Sequence, residues 1–396
     1  MGNTAVMENT SNKTEYTPGT IYKLIIAMTF LIAFGLVMIF SASSSGSASE
    51  NFMSQVKNIV LGLGGMLVFI YLPYGILQKF AWLLYGLSAA CIALLKTGLG
   101  VKVNGATRWI ELPIVHTRIQ IADVVKLLLI IFIASYISSK WREMDKALTI
   151  FFLWVVVGLQ AFALLIISNN LSSFIVIMGI CYGCTFLASR NWKLHLFTLG
   201  FVLLVGVIFI AVSIRDLPTE KEILDNENFR SGRIIGWLYT EKYAQSVGYQ
   251  VIQSLYAIGS GSFLGKGLGN GTQKLDAIPE AQNDMIFAII CEELGVVGAI
   301  MLFMIYGYLL YQLYVIVMES KNIFGSMIVI GVMIHIVCQV VINVGVATNI
   351  LPNTGVTLPF ISSGGSALIT IMAECGLCIG IRRQQVKRIY QKSLRE

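Results

Sequence analysis

"AIPEAQNDMIFAIICEELGVVGAIMLFMIYGYLLYQLYVIVM", residues 277–318, decides the fold. A polar, acidic cluster runs straight into a long apolar stretch. Roughly 20 apolar residues cross a bilayer as a helix. From 283 to 317 the only charges are Asp284, Glu292 and Glu293. Similar stretches recur along the chain. Ten spans are predicted, at about 21–42, 57–76, 80–97, 120–138, 147–168, 171–188, 194–214, 283–317, 323–348 and 362–381. The expected fold class is all-α: a polytopic integral membrane protein with about ten transmembrane helices.

Composition agrees. Of 396 residues, 56% are hydrophobic and 12% charged, against about 25% charged in soluble chains. The expected organisation is a disordered tail at 1–20, a membrane domain at 21–381 and a basic tail at 382–396. Inside the membrane domain, 215–282 forms one long loop between spans seven and eight. It has helix-like and Gly-rich pieces but too little apolar content for a core, and loops of that length are usually functional or disordered. The seven cysteines include "CYGC" (181–184) and "CGLC" (375–378). Both lie in apolar runs without a set of His partners, so they read as packing residues.

Lys and Arg in short loops set the orientation. Loops after even spans carry Lys79, Lys140, Arg142, Lys146, Arg190, Lys193 and Lys321, and the C-terminal tail adds six more basic residues. Both termini are therefore expected in the cytoplasm. Lys96, Lys102, Arg108 and Arg118 oppose the rule in one loop, which suggests an anion-binding task there.

Three unusual segments then share the outer face: 102–127, 249–284 and 343–369. Each is rich in Gly, Pro, Asn, Ser or Thr, which permit turns and close backbone approach. Irregular backbone at membrane depth must line a cavity or be buried in protein. Together they predict a polar cavity that opens outward; each alone is also explained by turn chemistry. Arg108, Arg118, Lys266, Lys274, Arg230 and Arg233 supply cations suited to phosphate oxygens. Trp109 and Trp237 read as interfacial anchors. Asp123 and Lys126 face each other inside span four, as a structural pair, a cavity wall or both. His335 and Glu374 stand as lone polar groups in spans nine and ten.

Within the opening stretch, Pro279 suits a first helical turn. Glu280 and Asp284 lie one turn apart near the start of span eight. The helix dipole alone accounts for a carboxylate at Glu280. Asp284 borders Met285, Ile286 and Phe287, where partial desolvation favours a general base; a capping role is the alternative. Glu292 lies roughly 12 Å deeper along the helix, so Glu292 and Glu293 form no dyad with Asp284. They are expected to hold other helices or line the cavity floor. No Ser/His/Asp set, phosphate-binding loop or metal-ligand cluster is evident, and nothing points to nucleic acid.

"NGATRWIEL", "GYQVIQSLYAIGSG", "GKGLGNGTQKL", "IPEAQNDMIFAIICEELG", "NVGVATNILPNTG" and "LPFISSGGS" follow one another in order. In these motifs the chain resembles the SEDS family, the shape, elongation, division and sporulation proteins of bacteria. "GLGNGTQKL" with "PEA" is closer to the division and sporulation branch than to the elongation branch. The resemblance implies ten transmembrane helices and a peptidoglycan glycosyltransferase of the cell membrane. Its substrate would be lipid II, an undecaprenyl-pyrophosphate-linked disaccharide-pentapeptide, polymerised on the outer face for cell wall growth.

Asp284 occupies the place of the family's catalytic aspartate. Arg108, Trp109, Asp123, Lys126, Gln253, Lys266, Lys274, Glu280, Asn343, Ser362, Gly364 and Gly365 fall in the matching cavity motifs. No cofactor is required, with room for a divalent cation, Mg or Mn, at the pyrophosphate. The implied partners are a class B penicillin-binding protein, which is a transpeptidase, and other divisome or elongation-complex membrane proteins. Three departures stand out. "AQND" replaces a common "AHTD", "IQIAD" a common "QPSE" and "ISSGG" a common "ISYGG", at Gln282, Asn283, Asp123 and Ser363. A lipid-linked precursor flippase and a non-catalytic scaffold of a cell-wall synthase are the competing readings.

Overall fold

The computed structural model of the chain describes residues 19–43, 48–103, 106–112, 117–215, 229–273 and 281–393. The helices are α1 (Thr20–Ala42), α2 (Ala48–Tyr71), α3 (Tyr74–Lys79), α4 (Ala81–Leu94), α5 (Ile121–Ser139), α6 (Ala147–Ile167), α7 (Leu171–Ala188) and α8 (Trp192–Arg215). They continue as α9 (Phe229–Leu238), α10 (Tyr249–Gly261), α11 (Ile286–Met318), α12 (Ile323–Ala347) and α13 (Gly365–Ser393). Among the described residues eight helices are long and apolar enough to cross a membrane: α1, α2, α5, α6, α7, α11, α12 and α13. α4 and the first part of α8 are apolar but shorter. The expected helical membrane fold is therefore the observed one.

Burial sorts these helices. The most apolar window of α13 is 83% buried and that of α5 is 72% buried, against 22% for α2. α5 and α13 thus form the middle of the bundle, while α2 presents most of its surface outward. α2 lies along α13 at backbone contact: a Cβ on Gly376 would stand 2.5 Å from the Met66 carbonyl oxygen, and one on Gly380 would stand 2.7 Å from that of Phe69. Small residues one turn apart permit this approach between membrane helices.

The structure departs from the sequence expectations at several places. The second expected span, 57–76, is interrupted at its end: α2 stops at Tyr71 and a separate short helix, α3, with N-cap Pro73, leads to the third span. The expected eighth span is broken: Gly295 has φ 64 and ψ −162, outside helical space. Its 33 residues would rise roughly 50 Å as one rod, well beyond a hydrocarbon core of about 30 Å. The part after Gly295 is by itself long enough to cross. α13 shows no break at the expected boundary of 381 and continues to Ser393. The expected tail at 1–20 lies almost wholly outside the described residues.

The segment before α5, read as irregular, holds a three-stranded antiparallel sheet. β1 (Gly100–Val103) pairs with β2 (Ala106–Leu112), which pairs with β3 (Thr117–Gln120). Val103 lies opposite Ala106, so a two-residue link joins these strands. Residues 104 and 105, between them in the sequence, lie outside the described residues. β3 leads directly into α5.

Candidate active site

Asp284 stands in the turn just before α11 and is half-buried. Three chain segments fix it. The Asn343 side chain, 1% exposed on α12, donates from Nδ2 to the carbonyls of Asp284 and Val356, each at 2.8 Å. One amide thus joins the Asp284 turn to the loop that follows α12. Two residues earlier in the chain, the Gln282 carbonyl accepts from the Ser363 backbone N–H at 2.9 Å. Gly355, with φ +70, lies so close that an added Cβ would be 3.3 Å from Asp284 Oδ2. Only glycine takes that backbone region readily.

Two guanidinium groups share this surround. Arg108 on β2 donates from Nε to the Ser168 carbonyl at 3.1 Å and from Nη2 to that of Asn169 at 2.9 Å. These bonds orient it over the link between α6 and α7. Arg233 on α9 donates from Nη1 to the Asn353 carbonyl at 3.3 Å. Burial pulls the Arg233 guanidinium down to about 10; the Arg108 charge pushes the same way and Asp284 opposes both. Arg233 therefore remains charged at neutral pH, and it feels both Arg108 and Asp284. α9 is tied to the same loop by Trp237, whose indole N–H donates to the Asn349 carbonyl at 2.9 Å. Asn353 Nδ2 donates to Gln250 on α10 at 2.7 Å, and the Ser172 hydroxyl donates to the Thr354 carbonyl. Residues 349–364 thus act as a hub on which α7, α9, α10 and α12 converge beside Asp284.

Glu292 occupies a different setting on α11. It is 0% exposed. Its Oε1 accepts from Lys266 Nζ at 2.7 Å, from the Thr272 backbone N–H at 2.9 Å and from the Thr272 hydroxyl at 3.1 Å. The Gln273 N–H donates to both carboxylate oxygens at 3.3 Å. The loop after α10 therefore closes on α11. Backbone bonds run from Lys266 N to Glu292 O, Gly267 N to Glu293 O and Val296 N to Ser262 O. The break at Gly295 makes this docking possible: a Cβ there would sit 2.4 Å from the Phe263 carbonyl oxygen. Glu293 is tied to α1, where the Ser41 hydroxyl donates to its carboxylate oxygens at 2.7 Å.

The other expected residues divide clearly. Asp123 and Lys126 form a buried ion pair at 2.7 Å, and the Ser366 hydroxyl donates to Asp123 Oδ2 at 2.6 Å. This pins the start of α5 to the start of α13. Trp109 lies on β2, half-buried, opposite Gln120. Gln253 is half-buried on α10, beside Ser254, whose hydroxyl donates to the Ala347 carbonyl at 2.8 Å. The Ser362 hydroxyl accepts from the Leu358 N–H at 2.8 Å and so closes the turn leading to α13. Gly364 lies against Thr357 and Gly365 against Asn58. Lys266, expected as an anion contact, is held by Glu292 instead. Lys274 and Glu280 lie outside the described residues.

Arg233 was singled out in the sequence as a cation suited to phosphate oxygens, whereas Asn353 and Gly355 were legible only as members of an unusual segment. His335 and Glu374 are not lone groups: His335 Nδ1 is 2.9 Å from Glu374 Oε2, with both side chains 0% exposed. Among the described residues no three His, Cys, Asp or Glu side chains form a group suited to a metal ion. All seven cysteines are free.

Comparison with known proteins fits this arrangement. Residues 22–387 match the FtsW/RodA/SpoVE family, described as cell cycle proteins. Among similar proteins, the probable peptidoglycan glycosyltransferase FtsW of Thioalkalivibrio sulfidiphilus is 32% identical over 92% of this chain and 90% of its own length. Stage V sporulation protein E of Bacillus subtilis is 30% identical over 91% of this chain and 96% of its own. A chain of a peptidoglycan synthase complex superposes with a TM-score of 0.70 at 24% identity, covering 92% of this chain and 98% of that one. The rod shape determining protein RodA of Thermus thermophilus gives 0.64 at 24% identity, covering 94% and 99%. The motifs, the helical membrane fold and these matches together place the chain in the FtsW/RodA/SpoVE family, the SEDS proteins.

Proposed function

We propose that this chain is a peptidoglycan glycosyltransferase that polymerises lipid II, with Asp284 as its general base. The observation that carries the reading is the placement of Asp284. A half-buried carboxylate, held by its own backbone, shares a site with two oriented guanidinium groups. Asp284 accepts the proton of the acceptor sugar's 4-hydroxyl. The resulting oxygen attacks the donor's anomeric carbon. The bond from that carbon to the phosphate oxygen breaks, and lipid pyrophosphate leaves with the electron pair. Arg108 and Arg233 offset the charge that develops on it, as preorganised donors do at a developing anion. Their planar forks suit phosphate oxygens.

The site would face the outside of a bacterial cytoplasmic membrane, with ten crossings and both termini inside, as the Lys and Arg distribution requires. A class B penicillin-binding protein would crosslink the product; the similarity to a chain of a peptidoglycan synthase complex supports a partner of that kind. Division or spore-envelope synthesis is the favoured setting, in line with the FtsW and sporulation relatives. The test is polymerisation of labelled lipid II by purified protein, with and without such a transpeptidase. Glycan chains in either condition are expected. A folded protein that makes none in both conditions overturns the reading.

A further inference from the structure

The far end of α13 from Asp284 carries a second organised cluster. Arg382 turns inward, 1% exposed, and pairs with Glu319 beyond the end of α11. The next basic residues turn outward. Arg383, Lys387 and Arg388 are exposed, and none pairs with a carboxylate among the described residues. Arg383 and Lys387 lie one helical turn apart and so share a face. The Arg383 guanidinium sits 4.4 Å from the centroid of the Tyr71 ring, and Arg388 lies 5.9 Å from that of Tyr74. Gln384 Nε2 donates to the Leu72 carbonyl at 3.2 Å, which fastens α13 to the turn between α2 and α3.

The neighbouring surface is apolar and faces outward. Tyr71 ends α2 and is 66% exposed. Val60, Leu63, Leu67 and Val68 precede it at helical spacing on the exposed side of α2. A tyrosine at the end of a membrane helix belongs at headgroup level, and the apolar side chains before it lie at acyl-chain depth. Arg383 over an exposed aromatic ring, with Lys387 one turn further on, therefore crowns a lipid-facing helix.

We propose that Arg383 and Lys387, with the Tyr71 ring, form a headgroup site for an anionic phospholipid whose acyl chains lie along α2. The phosphodiester supplies the negative charge that this cluster lacks. Stacking on Tyr71 holds the Arg383 fork in place before the lipid arrives. Basic clusters beside membrane helices recognise anionic lipids in this way. The continuity of cations, ring and apolar face selects a lipid over a free phosphate.

Native mass spectrometry of the full chain in mild detergent tests this, by counting bound phosphatidylglycerol against phosphatidylcholine with the same chains. The wild type is expected to retain phosphatidylglycerol preferentially. R383Q/K387Q should lose about 20-fold in its affinity, near five-fold for each charge removed, with an unchanged thermal midpoint. Lys387→Gln alone, at an exposed side chain, should lose about five-fold and covers the case in which the double variant fails to fold. Tyr71→Phe should keep the preference and Tyr71→Leu should weaken it. Equal retention by wild type and K387Q overturns the proposal. So does an equal loss in K140Q/R142Q, which would signal bulk surface charge. Competition by soluble glycerophosphate as strong as that by the lipid also overturns it, in favour of a phosphate site.

Discussion

Asp284 and Glu292 lie eight residues apart on one segment, and their surroundings are opposite. Glu292 is fully buried and saturated by a lysine, a hydroxyl and two backbone N–H groups. Asp284 is half-buried, its backbone carbonyl is stapled by Asn343, and its charge acts on Arg233. A carboxylate whose oxygens are spoken for organises a fold. A carboxylate whose main chain is stapled and whose charge acts on a neighbouring guanidinium is positioned for chemistry. Two acids that look alike in sequence are thus separated by their burial and by the segments that hold them.

Substitutions that treat the two carboxylates alike should break this contrast or sharpen it. Asp284→Asn is nearly isosteric and should lower polymerisation by about 10²–10⁴-fold, the usual worth of a general base, with little change in the unfolding midpoint. Glu292→Ala should behave in the reverse sense. It strands Lys266 and two N–H groups, and breaking such a buried pair costs about 3 kcal/mol of stability, read by thermal unfolding in detergent. Arg233→Ala should reduce kcat/KM by about 10²-fold, as removal of one preorganised donor does. Because Arg233 is drawn down only to about 10, it stays protonated through neutral pH. Its contribution should therefore stay flat from pH 6 to 8 and fade only as pH rises towards that value. Gly355→Ala should cost about 1–2 kcal/mol for its left-handed backbone and lower the rate modestly by pressing on Asp284.

Much of the fold was legible because membrane burial writes itself as apolar length. Every expected span is occupied by helix in the described residues. The break at Gly295 was not legible, since one glycine in an apolar helix looks like the packing glycines elsewhere. Its meaning depends on the loop from 262 that docks there. The three strands between 100 and 120 were not legible, because the richness of that segment in turn residues obscured them. His335 and Glu374 looked solitary because their partnership joins two helices, and no spacing rule reaches across 39 residues. In the site, Asp284 and Arg108 were legible from position and charge. Asn343 was legible as a member of the site, but its role as a backbone staple emerges only where α12 and the 349–364 loop meet.

Chemical rescue tests the general base most directly. Asp284→Ala, purified and shown to be folded, would be given labelled lipid II with increasing formate. The account predicts almost no glycan chains without formate and a rate that climbs with its concentration, as a diffusible carboxylate takes the vacated place. Polymerisation by Asp284→Ala at the wild-type rate without formate would contradict it.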